Sequence, residues 1–160
     1  MDAITAIRGS LGTAEMIAMA YLGDLSDQEL MQRPHPDCNH LNWQIGHLIS
    51  SEHALVDGLS KGSMPELPAG FAEKYSKESA ASDDSSQFAS KDELLQAYRT
   101  QRDGTLAVLA KQSDSDLDVA TGVSYAPTVG DLLRMQAEHW LMHCGQWVII
   151  RRNNGKPVVI

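Results

Sequence analysis

Four stretches of the chain carry apolar residues at every third or fourth position, which is the spacing of one face of an α-helix. The first stretch predicts a helix over residues 3–22. Its apolar face is formed by Ile4, Ile7, Leu11 and Ala14. The second stretch predicts a helix that ends near Leu59 and that either Asn39 or Asn42 can cap. His47 lies at the edge of the apolar stripe of this second helix.

Two capping boxes, in which a serine is followed three residues later by a glutamate, mark further helix starts. Ser26 with Glu29 predicts a short helical turn after the first helix. Ser90 with Glu93 predicts a third long helix that ends near Gln112. These signals indicate where the chain enters each helix.

The segments between the long helices are rich in polar residues, proline and glycine. Residues 61–89 predict a long crossover loop between the second and third long helices. Helix bundles tolerate a crossover of this kind. Residues 113–118 are predicted to form a polar linker, and residues 119–127 an irregular, extended segment beneath the helices.

The fourth long helix is predicted to begin after Thr128, which caps it together with Asp131, and to end near Arg152. His139 and His143 are four positions apart, so they lie on one face of this helix. The same face also carries Leu132, Gln146 and Ile150. Two imidazoles are therefore predicted to point into apolar surroundings.

The composition fits one domain over residues 1–160. Lys and Arg number 13 and Asp and Glu number 21, which gives a formal net charge of −8. An acidic chain repels phosphate backbones, so we expect no nucleic-acid partner. No apolar run is long enough to span a membrane, and the N-terminus lacks the pattern of a signal peptide. We therefore expect a cytoplasmic protein, in which Cys38 and Cys144 are free thiols.

The paired histidines indicate metal chemistry, because two imidazoles one helical turn apart can share an ion that satisfies their buried nitrogens. Among the other histidines, only His47 lies inside a helix at the edge of a core face, so we predict it as the third ligand. Three histidines leave at least one coordination position open, which is typical of a catalytic site. Trp140 follows His139, so the zinc-protease motif is absent. The alternative is that these residues are hydrogen-bonded core histidines.

Other reactive side chains are predicted to lie outside this site. His35 and His40 occur in a proline-rich segment and are expected to be exposed or weakly packed. His53 cannot share a face with the predicted ligand on its own helix, so we expect it on the surface. Cys144 is expected to be a packed, unreactive thiol. The sequence identifies no general base, and Glu52 is a candidate whose position the pattern leaves open.

Several short motifs follow one another along the chain. Residues 42–48, NWQIGHL, contain a histidine in a G-H-L setting, and residues 137–146, AEHWLMHCGQ, contain the pattern H-x-x-x-H-x-G-Q. Residues 151–157, RRNNGKP, fit R-x-x-x-G-x-P, and residues 25–30 precede the second long helix. In this order and spacing, the motifs resemble those of the DinB-like superfamily. The resemblance covers nearly the whole chain, and residues 61–90 are its weakest part.

The resemblance implies an all-α fold, namely an up-down-down-up four-helix bundle with a long crossover between helices 2 and 3. It also implies a homodimer, which is common among such proteins. By position, His47, His139 and His143 would be the ligands of one divalent metal ion, with Gln146 as a supporting polar residue. Zinc or nickel is the expected ion, and iron or manganese the alternative.

The resemblance also implies a class of chemistry. Characterised relatives include thiol-dependent S-transferases and isomerases, which use bacillithiol, mycothiol or glutathione, and metal-dependent hydrolases. We therefore expect a metal-dependent enzyme with a small-molecule substrate, in which a low-molecular-weight thiol or a water molecule is the nucleophile. The alternative is a non-catalytic binding protein whose metal is structural or absent. Chelation distinguishes the two, because a structural metal couples strongly to folding.

Overall fold

Residues 1–159, the part of the chain that this computed structural model describes, are mostly helical with one short β-hairpin. The elements are α1 (Ala3–Leu22), α2 (Asp27–Leu30), α3 (Leu41–Leu59), α4 (Phe71–Lys74), α5 (Lys91–Leu109), α6 (Asp114–Leu117), β1 (Ala120–Val123), β2 (Ala126–Thr128) and α7 (Val129–Asn153). The four long helices lie where the apolar spacing predicts them, and each ends within one turn of its predicted end. Within residues 1–159, no helix combines the length and apolarity needed to cross a membrane.

The helix caps confirm most of the local predictions. Both bonds of the capping box are formed by Ser26 with Glu29 and by Ser90 with Glu93. Thr128 caps α7 as predicted, since its side chain accepts a hydrogen bond from the Asp131 amide.

The predicted cap of the second long helix was wrong. Neither Asn39 nor Asn42 caps α3; instead, Nδ1 of His40 accepts a hydrogen bond from the Trp43 amide at 3.0 Å. Asn42 already lies inside α3, where its side-chain amide donates to the Ala89 carbonyl at 2.8 Å. A long-range contact therefore uses the side chain that local preference assigned to the cap.

Loss of the α5 cap should have a measurable effect on stability. We expect Ser90→Ala to lower the free energy of unfolding by about 1 kcal/mol, because the Ser90 hydroxyl accepts a hydrogen bond from the Glu93 amide at 3.3 Å and donates one to the Glu93 carboxylate at 2.8 Å. Urea denaturation of the two proteins measures the difference. Ser85→Ala, at an exposed serine of the crossover, is the matched control and should change stability by less than about 0.5 kcal/mol.

The core forms where the long helices face one another. Helix α1 packs chiefly against α7, and α3 packs against both α5 and α7. At the centre, the rings of Trp140 and Trp147 meet edge to face, with their centroids 6.0 Å apart. Tyr98 of α5 packs on Trp140 at 4.6 Å. The contact between Tyr98 and Trp140 therefore joins α5 to α7 next to His139.

The crossover, residues 61–89, contains more structure than the predicted loop. It includes α4 and two 3₁₀ turns, and it places Phe71, Tyr75 and Phe88 in the core. The Tyr75 hydroxyl donates to Oδ1 of Asn42 at 3.1 Å and accepts from the Ala89 amide at 3.0 Å. These contacts attach the crossover to α3.

Two segments between α5 and α7 differ from their predictions. The predicted polar linker over 113–118 contains α6, whose start is a further capping box formed by Ser113 and Asp116. The segment predicted to be irregular, residues 119–127, forms an antiparallel hairpin of β1 and β2 that packs on α7. Gly122, with a φ of 77°, lies within β1, where the pairing register with β2 shifts between Ala120 and Val123, and glycine adopts this left-handed conformation without strain. Strands of three and four residues are too short to give a clear alternating pattern in the sequence.

Candidate metal centre

Two long helices bring the three predicted ligands together. His47 comes from α3, and His139 and His143 come from successive turns of α7. The ring centroids of His139 and His143 are 5.1 Å apart, and that of His47 lies 5.5 Å from His139 and 6.3 Å from His143. All three side chains are half-buried. The three imidazoles therefore form one cluster, which we call the histidine cluster.

The spacing of the histidine cluster can be compared with what a metal ion needs. Within residues 1–159, no group of three or more His, Cys, Asp or Glu side chains already has the arrangement of a formed metal site. Three imidazoles on one tetrahedral ion, with metal–nitrogen distances near 2.0–2.1 Å, would have ring centroids roughly 5 Å apart. Two of the pairs are close to that spacing, whereas His47 and His143 are farther apart. The donor types fit a divalent ion, and a modest approach of His47 to His143 would bring the third pair to the same spacing.

Burial keeps the histidine cluster in the protonation state that a metal ion prefers. Burial, and after it the neighbouring His47, lowers the pKa of His139 to about 4. Burial, followed by the effects of His139 and His47, lowers the pKa of His143 to about 4. Burial and then the charge of Lys77 lower the pKa of His47. Near neutral pH the three imidazoles are neutral, so none of the rings has to lose a proton before it binds an ion.

A buried amide joins the two helices behind the histidine cluster. Oε1 of Gln44 lies 2.9 Å from Nδ1 of His143 and accepts a hydrogen bond from the indole N–H of Trp147 at 3.0 Å. Nε2 of Gln44 donates to the Asn39 carbonyl at 2.7 Å and to Oε1 of Gln146 at 3.1 Å. Gln146, the predicted supporting residue, therefore reaches the cluster through Gln44. Gln44 was not predicted as part of the site, although its position one turn before His47 placed it on the same side of α3.

The third imidazole is held by stacking. The ring of His47 lies parallel to that of Trp43, with an interplanar angle of 6° and centroids 4.9 Å apart. The indole N–H of Trp43 donates to the Ser76 carbonyl and to Oγ of Ser79, both at 3.0 Å. The crossover therefore fixes the indole plane against which His47 rests.

A cavity of about 570 Å³ opens beside the histidine cluster. His47 and His139 form part of its wall, together with Ser51, Leu55, Tyr125, Met135, Glu138 and Met142. Apart from the two histidines, these lining residues were not predicted from the sequence. Their signal was present on α7, because Met135 and Met142 are four positions before and three positions after His139 and so share its face.

Two histidines outside the cluster differ from their predictions. His35 is exposed as predicted, but His40 is fully buried, because its ring caps α3 and packs edge to face on Phe88 at 4.6 Å. His53 is half-buried instead of lying freely on the surface, because its Nδ1 is 3.0 Å from Oε1 of Gln101.

Two further reactive groups point away from the cavity. Cys144 is buried, and burial raises the pKa of its thiol to about 12, so it is a packed thiol as predicted. Glu52, the candidate base, faces α5, where it accepts hydrogen bonds from Arg102 at 2.9 Å and from Thr105 at 2.7 Å. Glu52 therefore has no path to a molecule in the cavity. Glu138 is the carboxylate that lines the cavity.

Comparison with protein families identifies a match. The sequence model of a family described as the DinB superfamily matches residues 11–147, which is most of the chain. A search of curated proteins finds no match to this chain.

Proposed function

Because the chain belongs to the DinB superfamily, we propose that it is a divalent-metal-dependent enzyme in which His47, His139 and His143 would hold the ion. One observation carries the proposal: three neutral, half-buried imidazoles from two helices meet, and two of them, His47 and His139, line a cavity large enough for a small molecule. Zinc or nickel is the proposed ion, because imidazole nitrogens suit both. Iron or manganese is the alternative.

The proposed reaction is the transfer of a small thiol to an electrophile, or hydrolysis as its variant. When bound, a divalent ion would supply Lewis acidity, which lowers the pKa of a thiol or a water molecule that it contacts. In the transfer, the thiol sulfur forms a bond to an electrophilic carbon while the bond from that carbon to its leaving group breaks. The leaving group departs with the electron pair, and the thiol proton passes to solvent.

The cavity wall supports a substrate with an apolar part. Leu55, Met135 and Met142 present apolar side chains, and unbranched methionines adapt to different shapes. Ser51 and Glu138 add polar groups that can orient a hydrogen-bond donor on the substrate. This wall would bind the electrophile and exclude water while the histidine cluster faces its reacting end.

We also propose the finer architecture and context that the family suggests. The packing of α1 on α7, and of α3 on α5 and α7, supports an up-down-down-up four-helix bundle with residues 61–89 as its crossover. The exposed side chains of Met16 and Ile149 support a homodimer. The proposed setting is the cytoplasm, with a low-molecular-weight thiol as a partner and no nucleic acid, in keeping with a net charge of −8.

Metal content is the first measurement that tests this function. We expect elemental mass spectrometry to find about one divalent ion per chain in the purified protein, and essentially none in a His139→Ala/His143→Ala variant. His35→Ala, which removes an exposed histidine outside the cluster, is the matched control and should keep the ion. Turnover is then measured with small thiols and alkylating electrophiles, and with esters for the hydrolytic variant.

The outcomes separate the alternatives. Metal-dependent turnover that the double variant lacks would support the enzyme. No metal in the unaltered protein, even after incubation with zinc and nickel salts, would reject it. A bound metal without turnover, whose chelation sharply lowers the melting temperature, would instead indicate a structural ion in a binding protein.

A further inference from the structure

The side-chain amide of Gln44 can adopt only one orientation in this fold. The indole N–H of Trp147 can only donate a hydrogen bond, so the Gln44 atom that it meets at 3.0 Å must be the oxygen. The Asn39 carbonyl can only accept, so the Gln44 atom that it meets at 2.7 Å must be the NH₂ group. Both ends of the amide therefore independently require the same orientation, and a flipped amide would lose both bonds.

This orientation decides which nitrogen of His143 carries the proton. Nδ1 of His143 lies 2.9 Å from Oε1 of Gln44, and that oxygen cannot donate. A hydrogen bond between the two atoms therefore requires the proton to be on Nδ1. In the neutral ring the lone pair is then on Nε2, the nitrogen away from Gln44.

From this arrangement we propose that Gln44 is a positioning residue that selects the Nδ1–H tautomer of His143 and so keeps Nε2 free to bind a metal ion. The inference rests on the proposed function for its purpose, although the tautomer itself is a property of the metal-free chain. An imidazole that binds a metal through one nitrogen commonly donates from the other to a fixed acceptor, which sets the ring orientation. Gln44 supplies that acceptor from α3, while His143 belongs to α7.

Because the site is buried, the hydrogen-bond acceptor that Gln44 offers to His143 is hard to replace. Gln44 is 1% exposed and Trp147 is fully buried, so bulk water cannot supply a substitute acceptor at the same place. Along the chain, His143 is 99 positions and Trp147 is 103 positions from Gln44. The network therefore also depends on the packing of α3 against α7. The tautomer of His143 is therefore linked to the docking of the two helices.

Two variants test the proposal from different sides. Gln44→Met removes the amide at nearly constant volume, and Trp147→Phe removes the indole N–H that holds the amide in orientation. If Gln44→Met does not fold, as judged by its thermal melt, Trp147→Phe carries the test alone. Gln101→Met is the matched control, because Gln101 is also a glutamine that is 1% exposed, and its Oε1 meets Nδ1 of His53, which lies outside the histidine cluster.

The first readout is the two-bond proton–nitrogen NMR correlation of the histidine rings in metal-free protein, which reports the protonated nitrogen. We expect the unaltered protein and Gln101→Met to show His143 protonated on Nδ1. Gln44→Met should show a mixture of tautomers, and Trp147→Phe a smaller change in the same direction. An unchanged Nδ1–H tautomer in both variants would overturn the proposal.

The second readout is the affinity for zinc alone, measured by competition with a chromogenic chelator. Gln44→Met should bind zinc about 10–100-fold more weakly than the unaltered protein, and Gln101→Met should stay within about threefold. A changed tautomer with unchanged zinc affinity would overturn the positioning role. If no protein binds zinc but the tautomer changes as expected, the assignment of the His143 proton stands and the proposed metal-dependent function fails.

Discussion

Replacement of Glu52 by alanine should lower the free energy of unfolding by about 3–5 kcal/mol, because it leaves the Arg102 guanidinium buried without its counter-charge. Glu52 is 1% exposed and Arg102 is 2% exposed, and their charged atoms are 2.9 Å apart. Thr105 donates a further hydrogen bond to the same carboxylate. The loss therefore combines an uncompensated charge with a missing hydrogen-bond acceptor.

Urea denaturation at neutral pH measures this loss, and two further variants define its origin. Replacement of both charges, as in Glu52→Leu/Arg102→Met, should restore much of the stability lost by Glu52→Ala, because no unpaired charge remains. Arg134→Ala, which breaks a pair with Glu138 whose side chains are both about half-exposed, should change stability by less than about 1 kcal/mol. If Glu52→Ala were as mild as Arg134→Ala, the burial of the ion pair would be contradicted.

Acidification from pH 7 to pH 4 should destabilise the metal-free protein, and His40 should contribute roughly 3 kcal/mol of that loss. Burial and, after it, the charge of Arg33 lower the pKa of His40 from 6.5 to about 4, although Asp83 opposes the shift. The unfolded chain therefore takes up the proton first as the pH falls below about 6.5. The stability that comes from a neutral His40 is complete above that pH and is lost as the pH falls toward 4. Protonation also removes the Nδ1 lone pair that caps α3.

The members of the histidine cluster also have lowered pKa values. The contribution of His40 is separated from theirs by comparing how steeply the free energy of unfolding falls with pH in the unaltered protein and in a His40 variant. His40→Asn keeps a side-chain acceptor at the cap but does not titrate. Free energies of unfolding for both proteins are measured between pH 7 and pH 4.5 in the presence of a chelator. The variant should lose less stability over this range than the unaltered protein, whereas His35→Ala should follow the unaltered protein. Parallel curves for the unaltered protein and His40→Asn would contradict the prediction.

The long helices and most of their caps could be predicted because their signals are local. The capping boxes at Ser26 and Ser90 need residues only three positions away, and the apolar face of each helix repeats within a few turns. The meeting of His47 with His139 and His143 was also predictable, since all three lie on core-facing parts of helices that the family resemblance places together.

The parts that escaped prediction depend on contacts between distant segments. His40 was expected to be exposed or weakly packed because no residue near it in sequence indicates that the ring of Phe88 packs against it. The direction of the Glu52 side chain was not predicted because its partner Arg102 is 50 residues away in the sequence. Gln44 has the same spacing from His47 as many core residues, and only its bond across 99 residues reveals its contact with the cluster. Side-chain direction, which decides each case, is not encoded in a helical wheel.

The position of Gly46 beneath the ring of Tyr75 restricts which substitutions this sequence can accept during evolution. A Cβ atom at position 46 would overlap the Tyr75 ring, whereas nothing lies within 4 Å of one added at Gly9 or Gly12. Gly46 also precedes His47, so any backbone shift that made room for a side chain would also move His47 relative to the other histidines of the cluster. Among relatives, we therefore expect positions 46 and 75 to change together or not at all, while the open glycines of α1 vary independently.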